Sequence, residues 1–250
     1  MTKLYKTDAL VLYSVKYGET DAILTILSPD KGKIQAIAKG ARKIKSRMRG
    51  PTQPFVYGSF MLYLGKSLHT VTQCEYKEPF AGLREDYHKY AMASYVSELA
   101  KSALLEGDSQ VQGIFTLTLK ALYALEAEAN EIYLRYYELN LLRELGYELA
   151  LEECGNCGKE LGKITGGFSV EAGGMICSDC KDKGELNVSP PTLAIMRQLM
   201  LMDILKVKRL KFTKAVASEL DKICHKAIMY YLDPRLNSRR FLADISTDSV

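Results

Sequence analysis

The constraint that weighs most on this chain is Cys154-Gly-Asn-Cys157 followed, after nineteen intervening residues, by Cys177-Ser-Asp-Cys180. Two C-x₂-C pairs at such a separation are the ligand set of a four-thiolate Zn²⁺ site, because this ion accepts four sulfurs in a tetrahedron at about 2.3 Å each. A two-residue gap lets one tight turn aim both sulfurs of a pair at one point, and a small hairpin can bring in the other pair. Gly155 and Gly158 flank the first pair, and Gly173-Gly174 tighten the approach to the second. A site closed by four protein ligands has no open position, so it holds the fold and does no chemistry. The competing readings are two disulfides and a thioredoxin-like redox pair. The first needs an oxidising compartment that nothing in the sequence signals, and the second a single C-x-x-C beside a βαβ pattern. Cys74 and Cys224 then read as packed free thiols in a reducing cytosol.

A chain of 250 residues with 47% hydrophobic and 26% charged residues has the composition of an ordinary soluble protein of about two domains. No stretch approaches the roughly 18 apolar residues of a membrane helix, so no membrane role is expected. The N-terminus, Met1-Thr-Lys-Leu-Tyr-Lys-Thr-Asp, carries charge where a signal peptide has its apolar region. The net charge of +4 conceals an uneven distribution: +7 over residues 1–80, −5 over 81–150, −3 over 151–185 and +5 over 186–250. Two basic ends flank an acidic middle, and a basic region attracts polyanions.

The first eighty residues read as five short strands: Ala9–Val15, Ala22–Leu27, Ile34–Ala38, Phe55–Leu64 and His69–Tyr76. Ser28-Pro-Asp-Lys-Gly32 is a turn between the second and third. Five strands at this spacing predict a small closed barrel, for which the OB-fold is the commonest five-stranded choice. From Leu83 the period becomes helical. Ile114, Leu117, Ala121 and Leu125 line one helix, with Asp108-Ser109 as a capping signal. Leu134, Tyr137, Leu141 and Leu145 line another, which Gly146 stops. Ser189-Pro-Pro191 starts a helix through about Leu205, and a last helix covers about Ala215–Tyr231. The expected fold class is therefore α+β and multidomain. It has an N-terminal OB-fold barrel over residues 1–80, a helical domain in two parts over 81–150 and 186–250, and a Cys₄ zinc module inserted over 151–185. The two helical parts are expected to pack together as one domain.

Lys39-Gly-Ala-Arg-Lys-Ile-Lys-Ser-Arg-Met-Arg-Gly50 holds six cations and no acid between two predicted strands. Lys39, Arg42, Lys43, Lys45, Arg47 and Arg49 are candidate phosphate ligands, and Gly40, Ser46 and Gly50 let backbone N–H groups approach the same phosphates. Barrels of this kind bind single strands through such loops and stack bases on exposed aromatics, for which Tyr57 and Tyr63 are candidates. For a single tyrosine, a core position is the commoner role. No catalytic set emerges. His69, His88 and His225 fall in three different elements, and no P-loop is present. Glu85-Asp86 and Glu126/Glu128 lack partners of any nucleotide-binding motif. The residues support a binding protein and not an enzyme.

Several segments together resemble one family. Lys6-Thr-Asp-Ala-Leu-Val-Leu12, Tyr17-Gly-Glu-Thr-Asp21, Lys39-Gly-Ala-Arg42 with Ser46-Arg47, and Gln53-Pro-Phe55 are similar to N-terminal signatures of the RecO recombination mediators. The four cysteines match the zinc-bearing branch, and Leu236-Asn-Ser-Arg-Arg-Phe-Leu242 resembles the C-terminal signature. The resemblance implies an OB-fold, a helical domain and one structural Zn²⁺ on Cys154, Cys157, Cys177 and Cys180. It implies work in bacterial, cytoplasmic recombinational repair: binding single- and double-stranded DNA, annealing complementary strands and helping RecA displace single-strand-binding protein. The implied protein partners are RecR and the acidic tail of single-strand-binding protein. The competing class from the residues alone is a zinc-ribbon/OB module of transcription or translation that binds RNA.

Overall fold

A computed structural model describes residues 3–105, 108, 111–162, 166–234, 238, 239 and 242. Five strands come first: β1 (Leu4–Tyr17), β2 (Asp21–Ser28), β3 (Gly32–Ala38), β4 (Tyr57–Tyr63) and β5 (His69–Glu78). Three helices follow: α1 (Gly82–Glu85), α2 (Tyr87–Ser102) and α3 (Gln112–Ala127). After α4 (Ile132–Glu144) come β6 (Gly166–Ser169), β7 (Gly174–Cys177) and β8 (Leu186–Val188). The chain then forms α5 (Pro190–Leu201), α6 (Ile204–Val207) and α7 (Lys214–Leu232). Two compact units result, Met1–Ala129 with Leu236–Val250, and Asn130–Arg235.

In the first unit the strand order is β1-β2-β3-β5-β4, and β4 returns to β1, so the sheet closes on itself. All neighbours are antiparallel except β3 and β5, a parallel seam held at only two positions, Ala36 opposite His69 and Ile37 opposite Thr70. Alternation along the strands fills the interior with Ala9, Val11, Leu24, Ile26, Ile34, Ala36, Phe60, Leu62 and Val71. Leu10 and Leu12 point outward from β1 yet are also buried, because α2 lies against that strand. An apolar run with no polar alternation is what a strand covered on both faces requires. Asp86 caps α2 by accepting the Lys89 N–H.

In the second unit β6 lies between β7 and β8. The Leu134, Tyr137, Leu141 pattern is one face of α4, but the helix is buried from Ile132 to Leu142 on every face, Arg135, Glu138 and Asn140 included. Arg135 bridges Glu138 one turn along and Asp221 of α7, which makes burial of these charges tolerable. Gly146, at φ +84°, ends α4 by donating to the Arg143 carbonyl.

This arrangement corrects the expected fold class. The α+β content stands, but the combination of an OB-fold barrel with one helical domain carrying an inserted zinc module does not. Helices α1–α3 cluster with the barrel, and α4–α7 cluster with the cysteine module. The capping signal before α3 also differs. Its N-cap position is Val111 with no side-chain cap, and Asp108 instead accepts the Leu105 N–H at 2.7 Å, while Ser109 lies outside the described residues. Of the C-terminal signature, Leu236, Asn237, Arg240 and Phe241 lie outside the described residues, and Ser238 donates its N–H to Glu98 at 3.0 Å.

Candidate nucleic-acid interface and metal centre

The segment between β3 and β4 is a chain of tight turns closed on its own backbone. Lys43 N–H reaches the Gly40 carbonyl at 3.2 Å, Ser46 that of Lys43 at 3.0 Å, Arg49 that of Ser46 at 3.2 Å and Gln53 that of Gly50 at 3.1 Å. Gly40 begins the series at φ +66°, a left-handed conformation that costs glycine nothing. Its N–H donates to the Asp21 carboxylate at 2.7 Å, and that bond, with Lys39 and Lys43 nearby, holds the Asp21 pKa below its ordinary value despite some desolvation. At the far end Phe55 is buried with φ +70°, and its N–H donates to the Val11 carbonyl at 2.7 Å. Ala41 and Thr52 are buried between these anchors, so the loop's small side chains face inward.

Its charged side chains face outward. Lys39, Arg42, Lys43, Lys45, Arg47 and Arg49 are all exposed, and among the described residues none of the six is in an ion pair. They differ in one respect. The Arg42 guanidinium donates to the carbonyls of Gly18 and Glu19 at 3.4 and 3.2 Å, which ties the loop to the β1–β2 turn. A concave surface of about 570 Å³ runs beside the loop, lined by Arg47, Met48 and Pro51 on one side and Thr72, Cys74 and Tyr76 on the other.

The tyrosines named from the sequence are not both at this surface. Tyr57 packs edge-on against Phe115 of α3, with ring centroids 5.9 Å apart, and Lys77 lies over its face. Tyr63 is exposed on β4. The aromatic beside the basic loop is Tyr76, 60% exposed, which lines the same concave surface as Arg47, Met48 and Pro51. Sequence reasoning passed over it. The available signal was its place two residues beyond Cys74, on the same side of β5 but past the last core position. His69 meets Tyr5, with Oη 2.8 Å from Nδ1 and the rings edge to face. The three histidines lie in β5, α2 and α7 and form no cluster.

In the second unit, Cys154, Cys157, Cys177 and Cys180 place their four Sγ atoms within 4.8 Å of one another. Cys157 and Cys177 are 3.8 Å apart, and a tetrahedron with sulfur bonds of about 2.3 Å has an edge of about 3.8 Å, so the set fits a four-coordinate ion. The first pair sits on a turn in which Gly158 N–H donates to the Cys154 carbonyl at 2.8 Å. Gly158 has φ +70°, where a side chain would be strained. The second pair leaves the end of β7, and Cys180 N–H donates to the Cys177 carbonyl at 3.2 Å. The Cys177 N–H donates to Cys154 Sγ at 3.3 Å, and Lys159 pairs with Asp179 across the two turns at 3.4 Å. Cys154 and Cys177 are buried, Cys180 is half-buried and Cys157 is exposed.

Burial raises the Cys154 thiol, but N–H donors from Cys177, Cys157 and Asn156 outweigh it and bring the pKa down to about 6. Cys180 is pushed up to about 12, chiefly through its contacts with the sulfurs of Cys157 and Cys177. A divalent cation bound by the four sulfurs would displace the protons they carry. Helix α5 braces this module: the Arg197 guanidinium donates to the Leu151 carbonyl at 2.7 Å and pairs with Glu152 at 3.0 Å. Cys74 and Cys224 are packed thiols, the first raised to about 11 and the second well above its usual value, both mainly by burial.

A turn-built loop of outward cations in one unit and a four-cysteine cluster poised to chelate a metal in the other give the class of the protein: one with a candidate polyanion surface and a candidate metal centre. Comparison with known proteins makes the assignment specific. The family models described as Recombination protein O N terminal and Recombination protein O C terminal match residues 1–80 and 84–240. DNA repair protein RecO of Desulforamulus reducens is 35% identical over 242 residues, spanning 96% of this chain and 94% of that one. Those of Alkaliphilus metalliredigens and Moorella thermoacetica are 37% and 36% identical, spanning 92% and 100% of this chain and 94% of each relative. The chain belongs to the RecO family.

Proposed function

We propose that this protein is a DNA-binding recombination mediator that makes and breaks no covalent bond. It holds single- and double-stranded DNA through the exposed cations of the 39–49 loop. The observation that carries the reading is a family match over nearly the whole chain, joined to a hydrogen-bonded loop whose charges are turned to solvent. Phosphate contacts lower the mutual repulsion of two strands and raise their local concentration, so complementary segments pair without a nucleotide cofactor. Lys39, Lys43, Lys45, Arg47 and Arg49 meet phosphates, Arg42 fixes the loop and adds its charge, and Tyr76 offers a face to a base. The four thiolates hold one Zn²⁺ that keeps the second unit folded. The partners proposed are those the family resemblance implies: RecR, the acidic tail of single-strand-binding protein, and RecA, which loads on the strand so exposed. The place of action is the bacterial cytoplasm, where the DNA lies.

The test is a fluorescence-quench annealing assay on naked complementary strands without nucleotide. The rate should rise with protein, peak near saturation and fall when excess protein isolates each strand. With strands covered by single-strand-binding protein, a version lacking its acidic tail should inhibit more than the full-length one. No acceleration on naked strands would remove the annealing reading, and equal inhibition by the two versions would remove tail recruitment.

A further inference from the structure

A second run of cations lies in the other unit. From Ile204 to Ser218 the chain carries Lys206, Lys208, Arg209, Lys211 and Lys214 and no carboxylate. All five are exposed. The reason is local: Ile204 and Val207, one turn apart on α6, are buried at 1% and 0%, which turns the positions between and after them outward. Backbone turns follow, with Arg209 N–H on the Lys206 carbonyl at 3.0 Å and Leu210 N–H on that of Val207 at 3.0 Å. Val216 and Leu220 then anchor the start of α7 in the same way, and Thr213 caps it by accepting the Val216 N–H. The positive end of this 19-residue helix therefore adds to the field of the side chains. Leu205 and Phe212 stand exposed among the cations.

We propose that residues 206–214 form a second nucleic-acid site, so that each unit of one chain carries its own strand-binding surface. The inference rests on the annealing reading above and supplies what that reading needs, a holder for each of two strands. Cations spaced along an irregular segment suit a strand whose phosphates repeat, and Phe212 offers one base a face to stack on. The apolar side chains alternate with charges and do not gather into one face, as insertion into a membrane surface would require. Because phosphate contacts carry no base information, this site takes any sequence.

The experiment uses the full chain and its variant Lys206→Ala/Arg209→Ala/Lys211→Ala. A protein-saturated immobilised oligonucleotide is offered a labelled second strand that is not complementary to it, so capture reports bridging without pairing. The wild-type protein should capture the second strand. In the variant the log–log salt slope of capture should shrink by about 2, at about 0.7 per lost single-strand contact, which is about twenty-fold between 50 and 200 mM salt. Melting should be unchanged because the three side chains are exposed, and Lys206→Arg/Lys211→Arg should capture like wild type. Capture in the variant equal to wild type overturns the second site even if the wild-type protein anneals. Failure of annealing by the wild-type protein with capture intact overturns the proposed function and leaves the site standing. Unchanged strand capture, together with variant-sensitive binding of a polyglutamate peptide or of phosphatidylglycerol vesicles, overturns the proposal in favour of a protein or membrane partner.

Discussion

The 39–50 loop and the 154–180 cysteine turns use the same local grammar for opposite purposes. Both are tight turns that depend on a left-handed glycine, Gly40 in one and Gly158 in the other. The loop closes through backbone hydrogen bonds and sends six charged side chains to water. Nothing in the core depends on those charges, so they are free to serve a ligand. The cysteine turns send four side chains to a common point, two of them buried, with their sulfurs within 4.8 Å of one another. There the side chains are the structure, and the turns exist to aim them. Similar backbone thus presents charges to solvent in one region and gathers side chains to one point in the other.

If that contrast is right, damage to the cysteine turns is structural and large. Structural Zn²⁺ contributes on the order of 10–16 kcal/mol of apparent binding energy, most of it expressed as local folding. Cys177→Ser should lower the zinc content from one per chain, disorder residues 151–185 and loosen α4 and α5 beside them. Elemental analysis with calorimetry checks this, and metal-free protein that melts like the wild type would erase the comparison.

Damage to the loop should be functional, with no change in melting. Replacing Arg42, Lys43, Arg47 and Arg49 by Ala removes about four phosphate contacts. For wild type, four contacts give a salt slope near −2.8 on single strands, roughly fifty-fold in affinity between 50 and 200 mM. The quadruple variant should flatten that slope and weaken every sequence alike. Because Arg42 also holds the β1–β2 turn, the triple variant that keeps it isolates the phosphate effect. Unchanged affinity and slope would take the loop off the DNA surface.

The smallest effect sharpens the boundary between the two regions. Glu219 of α7 accepts the Ser189 N–H at 2.9 Å and the Thr192 hydroxyl at 2.7 Å, and so caps α5, the helix whose Arg197 holds Leu151 and Glu152 of the cysteine module. Burial alone would raise its carboxyl pKa, but those two bonds outweigh it and the pKa lies below the ordinary value. A depressed carboxylate stabilises the fold above its unfolded pKa of about 4 and loses that contribution as the pH falls through the lower folded value. Glu219→Ala should cost about 1 kcal/mol at neutral pH, as losing a cap does, or about 2–4 °C in melting. The difference from wild type should shrink below about pH 4. A pH series of melting curves measures it, and a gap that stays constant into acid would refute the capping role.

Local signals account for much of the molecule. Alternation in Ile34–Ala38, the turn at Ser28–Gly32, the stop at Gly146 and the start at Pro190 each act within a few residues, and each stands where the pattern puts it. The cysteine spacing likewise names the four sulfurs that gather without knowledge of the fold, because a C-x₂-C turn aims its own sulfurs. Ser189 shows where such reading ends. It occupies the N-cap position of α5, but its hydroxyl pairs with Thr192 at 3.0 Å, and the carboxylate that satisfies the helix start comes from Glu219, thirty residues on.

The sequence by itself determined which four cysteines come together, the run of six cations, most of the strand and helix segments and the family, although the helix expected through Leu205 ends at Leu201. Tertiary structure alone decided that α1–α3 belong with the barrel and α4–α7 with the cysteine module. It also decided that α4 is buried on all sides with Arg135 and Glu138 inside, that Tyr76 and not Tyr57 stands by the basic loop, and that Lys206, Lys208, Arg209, Lys211 and Lys214 face water while Val207 between them is buried. The physical reason is range. Turns, caps and chelating pairs are settled by neighbours along the chain. Which face of a helix is covered, and which aromatic stays wet, depends on elements folded in from far along the sequence.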